Sequence, residues 1–406
     1  MITAYQSVYA GSADRARYEL LTQKLRALGH SPEQIRCFTA PGRTELCGNH
    51  TDHQNGRVLA AAVDVDTIAA AAENGTDRIR LDSAGFPPCD LSVHPEENTD
   101  VPAGTTAALL AGMISVFAPI CALRGLDLCA SSTVLPGGGL SSSASVEVLL
   151  AEIFNEFFGL GLGALDLAVL GQRVENEFFG KPCGLLDQAA CAAGGVSYLD
   201  FGDPTHAKLE KLTLDPERFG YAMFLISCGA DHADLTDEYA AIPAEMRQIS
   251  SLFGARNLSQ VDEAAFYDRL PVLRKRCSDR AILRAIHIFD ENRRVDRMRL
   301  AILSGDFDSY LAVVRESGLS SWRFLQNIAP RGSLDQPMAL TLALCEKLLA
   351  GKGACRVHGG GFAGTAQVYV PLDLAERFPQ RLEAMLPTVS CQRRRFRSVG
   401  AAELAL

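Results

Sequence analysis

Residues 135–150 read LPGGGLSSSASVEVLL, a run of glycines joined to three serines and then to a helix-forming stretch. Glycine lacks a Cβ and lets backbone amides approach an anion closely, and the start of a helix presents unpaired N–H groups at the positive end of its dipole. A chain carrying this run must fold so that a tight loop opens directly into a helix, and a triphosphate suits such a cradle. The nucleotide-binding candidates are Gly137, Gly138, Gly139, Leu140, Ser141, Ser142 and Ser143, with the serines offering donors to phosphate oxygens or a ligand to a hard cation. Taken alone, the same run also reads as a glycine turn followed by a serine N-cap. It is not a Walker-type loop, because no Gly-Lys-Ser/Thr follows the glycines.

With 406 residues, 48% hydrophobic and 21% charged, the chain can build large cores, and its length favours two domains, divided here as 1–206 and 207–406. The segment 203–215 supplies prolines and charge at that division. No apolar stretch is long enough to span a membrane and the N-terminus lacks a signal-peptide pattern, so a cytoplasmic protein is expected. Twelve cysteines without a Cys-X-X-Cys pair read as buried free thiols, among them Cys47, Cys183, Cys228 and Cys345. A formal charge of −9 argues against a nucleic-acid partner.

Apolar spacing predicts helices over 16–29, 105–118, 145–158, 163–179, 278–304 and 336–350, and strands near 58–73, 126–134 and 220–228, an α+β pattern. The helices between 230 and 350 carry polar faces.

Three further stretches, PGRTELCGNHTDHQNGRVL at 41–59, ENEFFGKPCGLLDQ at 175–188 and ACRVHGGGFAGT at 354–365, complete an ordered set with LPGGGLSSSAS. From about residue 35 to the mid-370s the chain resembles the galactokinase branch of the GHMP small-molecule kinases. The resemblance implies a two-domain fold: an N-terminal α+β domain with a left-handed βαβ unit and a C-terminal ferredoxin-like α/β sandwich. It implies an ATP- and magnesium-dependent enzyme that phosphorylates the anomeric hydroxyl of galactose or a near relative, with another monosaccharide (a uronic acid, an N-acetylhexosamine or arabinose) or a non-catalytic sugar sensor as alternatives. Its partners would be a small sugar and ATP, with neither nucleic acid nor membrane, and a monomer is expected.

The same resemblance assigns Asp187 as general base, assisted by Arg43, with Ser143 and Glu175 holding magnesium. His50 and Asp52 match sugar ligands, as do Gly184 and Tyr239. Asn49 stands where common galactokinases have glutamate, and His53 where they have tyrosine, so Asn49 is expected to read the C6 end of the sugar. Exchanging it for glutamate is expected to shift sugar preference. Gly359, Gly360, Gly361 and Gly364 are expected to form a turn supporting the nucleotide side of the cleft, and Gly318 stands where a histidine is usual.

Overall fold

The computed structural model describes residues 2–9, 13–135, 138–203, 207–229, 235–362 and 364–406. Among the described residues thirteen strands make two sheets. The larger contains β1 (Thr3–Ala4), β2 (Arg36–Cys47), β3 (Arg57–Glu73), β4 (Arg78–Ser83), β5 (Cys89–Ser92), β6 (Leu126–Ser132), β7 (Val196–Asp200), β8 (Lys208–Leu212) and β13 (Ala402–Ala405). The smaller runs β10 (Ala354–His358), β11 (Thr365–Pro371), β9 (Tyr221–Ser227) and β12 (Ser390–Arg394) in that spatial order, all antiparallel. With helices before β10 and before β12, this second sheet has the split β-α-β-β-α-β order of a ferredoxin-like sandwich.

The sheets do not divide at 206/207. Strand β8 hydrogen-bonds to β7 in the first sheet, and β13 carries the C-terminus back to pair with β1 and β2. Strand pairing follows whichever edge is free in space, and residue order does not constrain which edge that is.

The helices are α1 (Ala13–Ala27), α2 (Thr106–Phe117), α3 (Ser142–Phe158), α4 (Ala164–Val174), α5 (Leu186–Ala193), α6 (Thr236–Ser251), the short α7 (Glu263–Asp268) and α8 (Leu270–Arg276), α9 (Asp279–Ser304), α10 (Phe307–Ser320), α11 (Pro337–Leu349) and α12 (Arg377–Met385). Strands β4 and β6 are parallel neighbours joined through α2, which is the β-α-β unit of the first half. The apolar run 58–73 is β3, buried along nearly all its length by neighbours on both faces, so alanine-rich sequence is held extended by its place in the sheet. The helical pattern at 163–179 becomes α4 followed by a π-turn over Glu175–Phe179. Such insertions in a helix occur often at functional positions.

One apolar cluster joins the two sheets: Leu46, Leu59, Val134 and Leu140 from the first half meet Leu225, Val295, Tyr310 and Tyr369 from the second. This shared core fixes the relative position of the segments that build the cleft. No described helix is long and apolar enough to cross a membrane, and all twelve cysteines are free thiols.

Candidate functional site

Pro41 and Gly42 read as a turn but lie inside β2. The ladder with β3 skips between Pro41 and Arg43 and again between Glu45 and Cys47. Proline cannot donate to a ladder, so a bulge accommodates it, and bulges re-aim the side chains beside them. Arg43 and Glu45, two residues apart, share one face of the strand.

The Arg43 guanidinium donates from Nε to Asp187 Oδ1 and from Nη2 to Asp187 Oδ2, both at 2.8 Å, while Nη1 donates to the Gly139 carbonyl at 2.5 Å. The Ser141 hydroxyl also donates to Asp187 Oδ2. Burial raises the Asp187 carboxyl, but the charge and hydrogen bonds of Arg43, together with Ser141, outweigh it and bring it down to about 2. Asp187, Arg43 and the glycine-serine loop therefore form one contact network. Ser141 adopts a left-handed backbone (φ 58°) ahead of α3, as does His50 (φ 61°) in the sugar motif. Such non-glycine conformations persist where surrounding structure over-determines them, often at ligand sites.

The rest of the loop divides. Gly138 O accepts from Thr365 Oγ1 at 3.2 Å, and a Cβ on Gly139 would lie 2.9 Å from that same hydroxyl, so the second sheet presses on the loop. Leu140 places its side chain in the core, 5% exposed, leaving only its backbone to serve the loop. Ser142 opens α3. Gly137 lies outside the described residues.

The Ser143 hydroxyl donates to Glu175 Oε1 at 2.7 Å, and Lys181 Nζ donates to that oxygen at 2.9 Å. Gln188, next to Asp187, donates to Glu175 Oε2 at 2.7 Å and to buried Glu147 Oε2 at 2.9 Å. Burial, reinforced by Glu175, pushes the Glu147 carboxyl far above its usual range. A hydroxyl and a carboxylate supply two hard oxygen donors, and no group of three His, Cys, Asp or Glu side chains among the described residues could hold a metal unaided. That donor set fits magnesium, which keeps waters and shares phosphate oxygens.

The expected sugar residues gather around the third glycine motif. Asp52 lies against Gly184 so closely that a Cβ there would sit 2.0 Å from Oδ2. His50 Nε2 lies 3.3 Å from the Gly360 carbonyl, and burial pulls its ring down to about 3, so it is neutral. Tyr239 donates to Gly361 O at 2.9 Å, and its ring occupies the space a side chain at Gly360 would need. The 359–361 turn thus meets His50 and Tyr239, while His358 and Thr365, opposite each other on the β10–β11 hairpin, lie against the glycine-serine loop. The turn expected to support the nucleotide side of the cleft therefore also contacts residues expected at the sugar.

Asn49, 1% exposed, is committed to the protein. Its Nδ2 donates to Gly359 O at 2.6 Å and Glu45 Oε1 at 3.2 Å, and its Oδ1 accepts from Asn327 Nδ2 at 2.8 Å and Ser321 Oγ at 3.3 Å. An amide with two donors and two lone pairs so engaged has little left for a ligand. A glutamate at 49 would oppose buried Glu45, so Asn49→Glu is expected to cost about 2 kcal/mol or more in folding stability, read from the denaturant midpoint, instead of exchanging one sugar for another.

Helix α9, one of the helices with a polar face in the sequence, holds the loop of Gly48 and Asn49. Its Glu291 Oε1 accepts from the Gly48 and Asn49 N–H groups at 3.1 and 3.4 Å, and His287 Nε2 donates to Asn49 O at 3.0 Å. Asn292 Oδ1 accepts from Arg57 N at 2.8 Å. The polar pair at 287 and 291, four apart and so on one helix face, was the available signal.

Burial raises the wholly buried Glu291 carboxyl, but His287, Arg294, Arg356 and the Ser317 hydroxyl bring it down to about 2. Its folded value lies below the unfolded one, so its contribution is present above about pH 5 and is lost as pH falls toward 2. Glu291→Gln is expected to remove about 3 kcal/mol at pH 7 and to flatten the acid limb of the stability curve. A variant that still loses stability in acid as steeply as the parent would contradict this.

Comparison with known proteins places these segments among described families. The model for the GHMP kinases N terminal domain matches residues 106–195, and that for the galactokinase galactose-binding signature matches residues 26–73. A galactokinase of Streptomyces coelicolor is 31% identical over 356 residues, covering 84% of this chain and 86% of that protein. The crystal structure of Lactococcus lactis galactokinase complexed with galactose superposes with a TM-score of 0.82 at 23% identity, covering 96% of this chain and all of that one. Methanococcus jannaschii mevalonate kinase superposes with a TM-score of 0.59 at 15% identity, over 90% of this chain and 99% of that one.

Proposed function

Because the chain belongs to the GHMP kinase family, in its galactokinase branch, we propose that it transfers the γ-phosphoryl group of ATP to the anomeric hydroxyl of galactose, giving sugar 1-phosphate and ADP. The observation that carries this reading is the junction at Asp187. One carboxylate meets Arg43 and the Ser141 hydroxyl of the phosphate loop, while Gly184, three residues before it, touches Asp52 of the sugar motif.

The amides of 138–143 and the free N–H groups at the start of α3 bind the phosphates. Ser143 and Glu175 would hold magnesium, which would supply charge neutralisation between the phosphates. Lys181, now on Glu175, keeps positive charge beside that position.

Asp187 points the sugar hydroxyl at the γ-phosphorus and takes its proton. A carboxylate held near 2 is a weak base, so the proton moves late, after the bond to the phosphorus has begun to form, and positioning matters more than basicity. Arg43 keeps that carboxylate ionised and, through Gly139 O, ties it to the loop that places the phosphates.

Turnover with ATP and magnesium on a panel of free sugars tests the reading, with phosphorus NMR to locate the new ester. Galactose is expected to give a 1-phosphate. Failure on galactose with turnover of another sugar, or of none, rejects it.

A further inference from the structure

We propose that Lys181 is a further nucleotide-binding residue, whose ammonium leaves Glu175 for the terminal phosphates of ATP when magnesium takes that carboxylate. The inference rests on the kinase reading above.

The backbone of Lys181 is fixed, but its charged end is not. The Gly180 and Lys181 amides both donate to the Glu175 carbonyl, at 3.0 and 3.1 Å, closing the π-turn, and Pro182 follows. The lysine side chain is 59% exposed and reaches from the open side to a carboxylate that is 1% exposed. Its Nζ donates to Glu175 Oε1 at 2.9 Å, its one hydrogen bond among the described residues, so two of its three donors are left over. Arg43, by contrast, is held at Nε, Nη1 and Nη2 together. A flexible four-carbon stem ending in a single contact suits a cation that changes partner.

Glu175 does not depend on the lysine for its hydrogen bonds. The Ser143 hydroxyl meets the same Oε1 at 2.7 Å, and Gln188 Nε2 meets Oε2 at 2.7 Å. Ser143 and Glu175 are the residues that would hold magnesium, and a dication there repels an ammonium on the same carboxylate oxygen. The phosphates proposed to lie at the start of α3, which Ser142 and Ser143 open, are the next anion for that ammonium. Lys181 also lies close enough to Asp187 for its charge to act on that carboxylate, alongside Arg43. It therefore neighbours both a proposed metal ligand and the aspartate that would face the γ-phosphorus, where transfer redistributes negative charge. The run LPGGGLSSSAS carries no lysine of its own, and Lys181 brings one to it from another segment.

The protein is titrated by calorimetry with ATP and with AMP, magnesium present in both, beside steady-state rates on galactose. Lys181→Met is expected to raise Kd for ATP at least about tenfold, the loss of one charge-assisted hydrogen bond, and Kd for AMP, which lacks the terminal phosphates, less than about twofold. kcat should fall at least about tenfold while KM for galactose stays within about threefold, because the lost contact is to the transferring end of the nucleotide. The magnesium needed for half-maximal rate should not rise, since the variant removes a competitor for Glu175. Lys181→Gln keeps a hydrogen-bond donor without the charge and should show the same loss, which decides the matter if the methionine variant does not fold. Lys181→Arg keeps the charge and should bind ATP within about threefold of the parent. A parental Kd for ATP in the methionine or glutamine variant overturns the proposal. Equal losses of ATP and AMP, or a raised magnesium requirement, also overturn it, because a lysine that only held Glu175 in place would act through the fold or the metal. A parent that binds ATP but phosphorylates no free sugar overturns the kinase reading instead, and the affinity differences still decide the role of Lys181.

Discussion

Asp187→Asn is expected to lower kcat by at least about 10³-fold while ATP and sugar still bind, because the amide can neither take the hydroxyl proton nor accept both donors of Arg43. The side chain changes by one group and almost no volume, so the fold should survive. Its cost falls on the chemistry: Arg43 loses a bidentate partner, and an amide nitrogen set against a guanidinium and the Ser141 hydroxyl must turn away, displacing the acceptor hydroxyl from its line to the phosphorus. In phosphoryl transfer most of the acceleration comes from such placement and from charge stabilisation. Calorimetric titration with galactose and a non-hydrolysable nucleotide, beside steady-state rates, separates the two effects. Near-parental kcat would remove Asp187 from the reaction, and lost binding with lost turnover would show that its role is structural.

Arg356→Met is expected to cost about 3–5 kcal/mol in unfolding free energy, a large part of what a domain has to spare. Arg356 is wholly buried in β10 and donates to Glu45 Oε1 and to the Leu46 carbonyl. Removing it leaves the buried carboxylate beside Asp52 without its paired cation and with only Asn49 Nδ2 as a donor, and burial then favours protonation or local opening. Replacing both members, as Glu45→Gln with Arg356→Met, is expected to recover most of the loss, since a neutral pair avoids the desolvation of two charges. Denaturant midpoints of the parent, the two single variants and the double variant form the cycle. Additive losses would mean that the two side chains do not act on one another.

The phosphate loop was legible because its information is local. Consecutive glycines, serines and a helix-forming run determine backbone conformation over a few residues, and Gly138 through Ser143 lie where that pattern puts them. The strand at 58–73 and the long helix at 278–304 were visible for the same reason. The turn expected at Pro41–Gly42 was not found, because a local preference yielded to pairing along the whole of β2 and survived only as a bulge. The contacts of α9 were not legible: periodicity shows that a face is polar but not whether water or another segment covers it.

The order of residues alone therefore determined the kinase family, the elements that carry its motifs and the groups proposed to react. Tertiary structure decided which of those groups are free to act. Arg43 and Asp187 are 144 positions apart, and Glu45 and Arg356 are 311 apart. Only packing brings each pair within hydrogen-bond range and saturates Asn49. Hydrogen-bond capacity is a property of contacts, and contacts between distant segments are settled by the shared core that docks one sheet against the other.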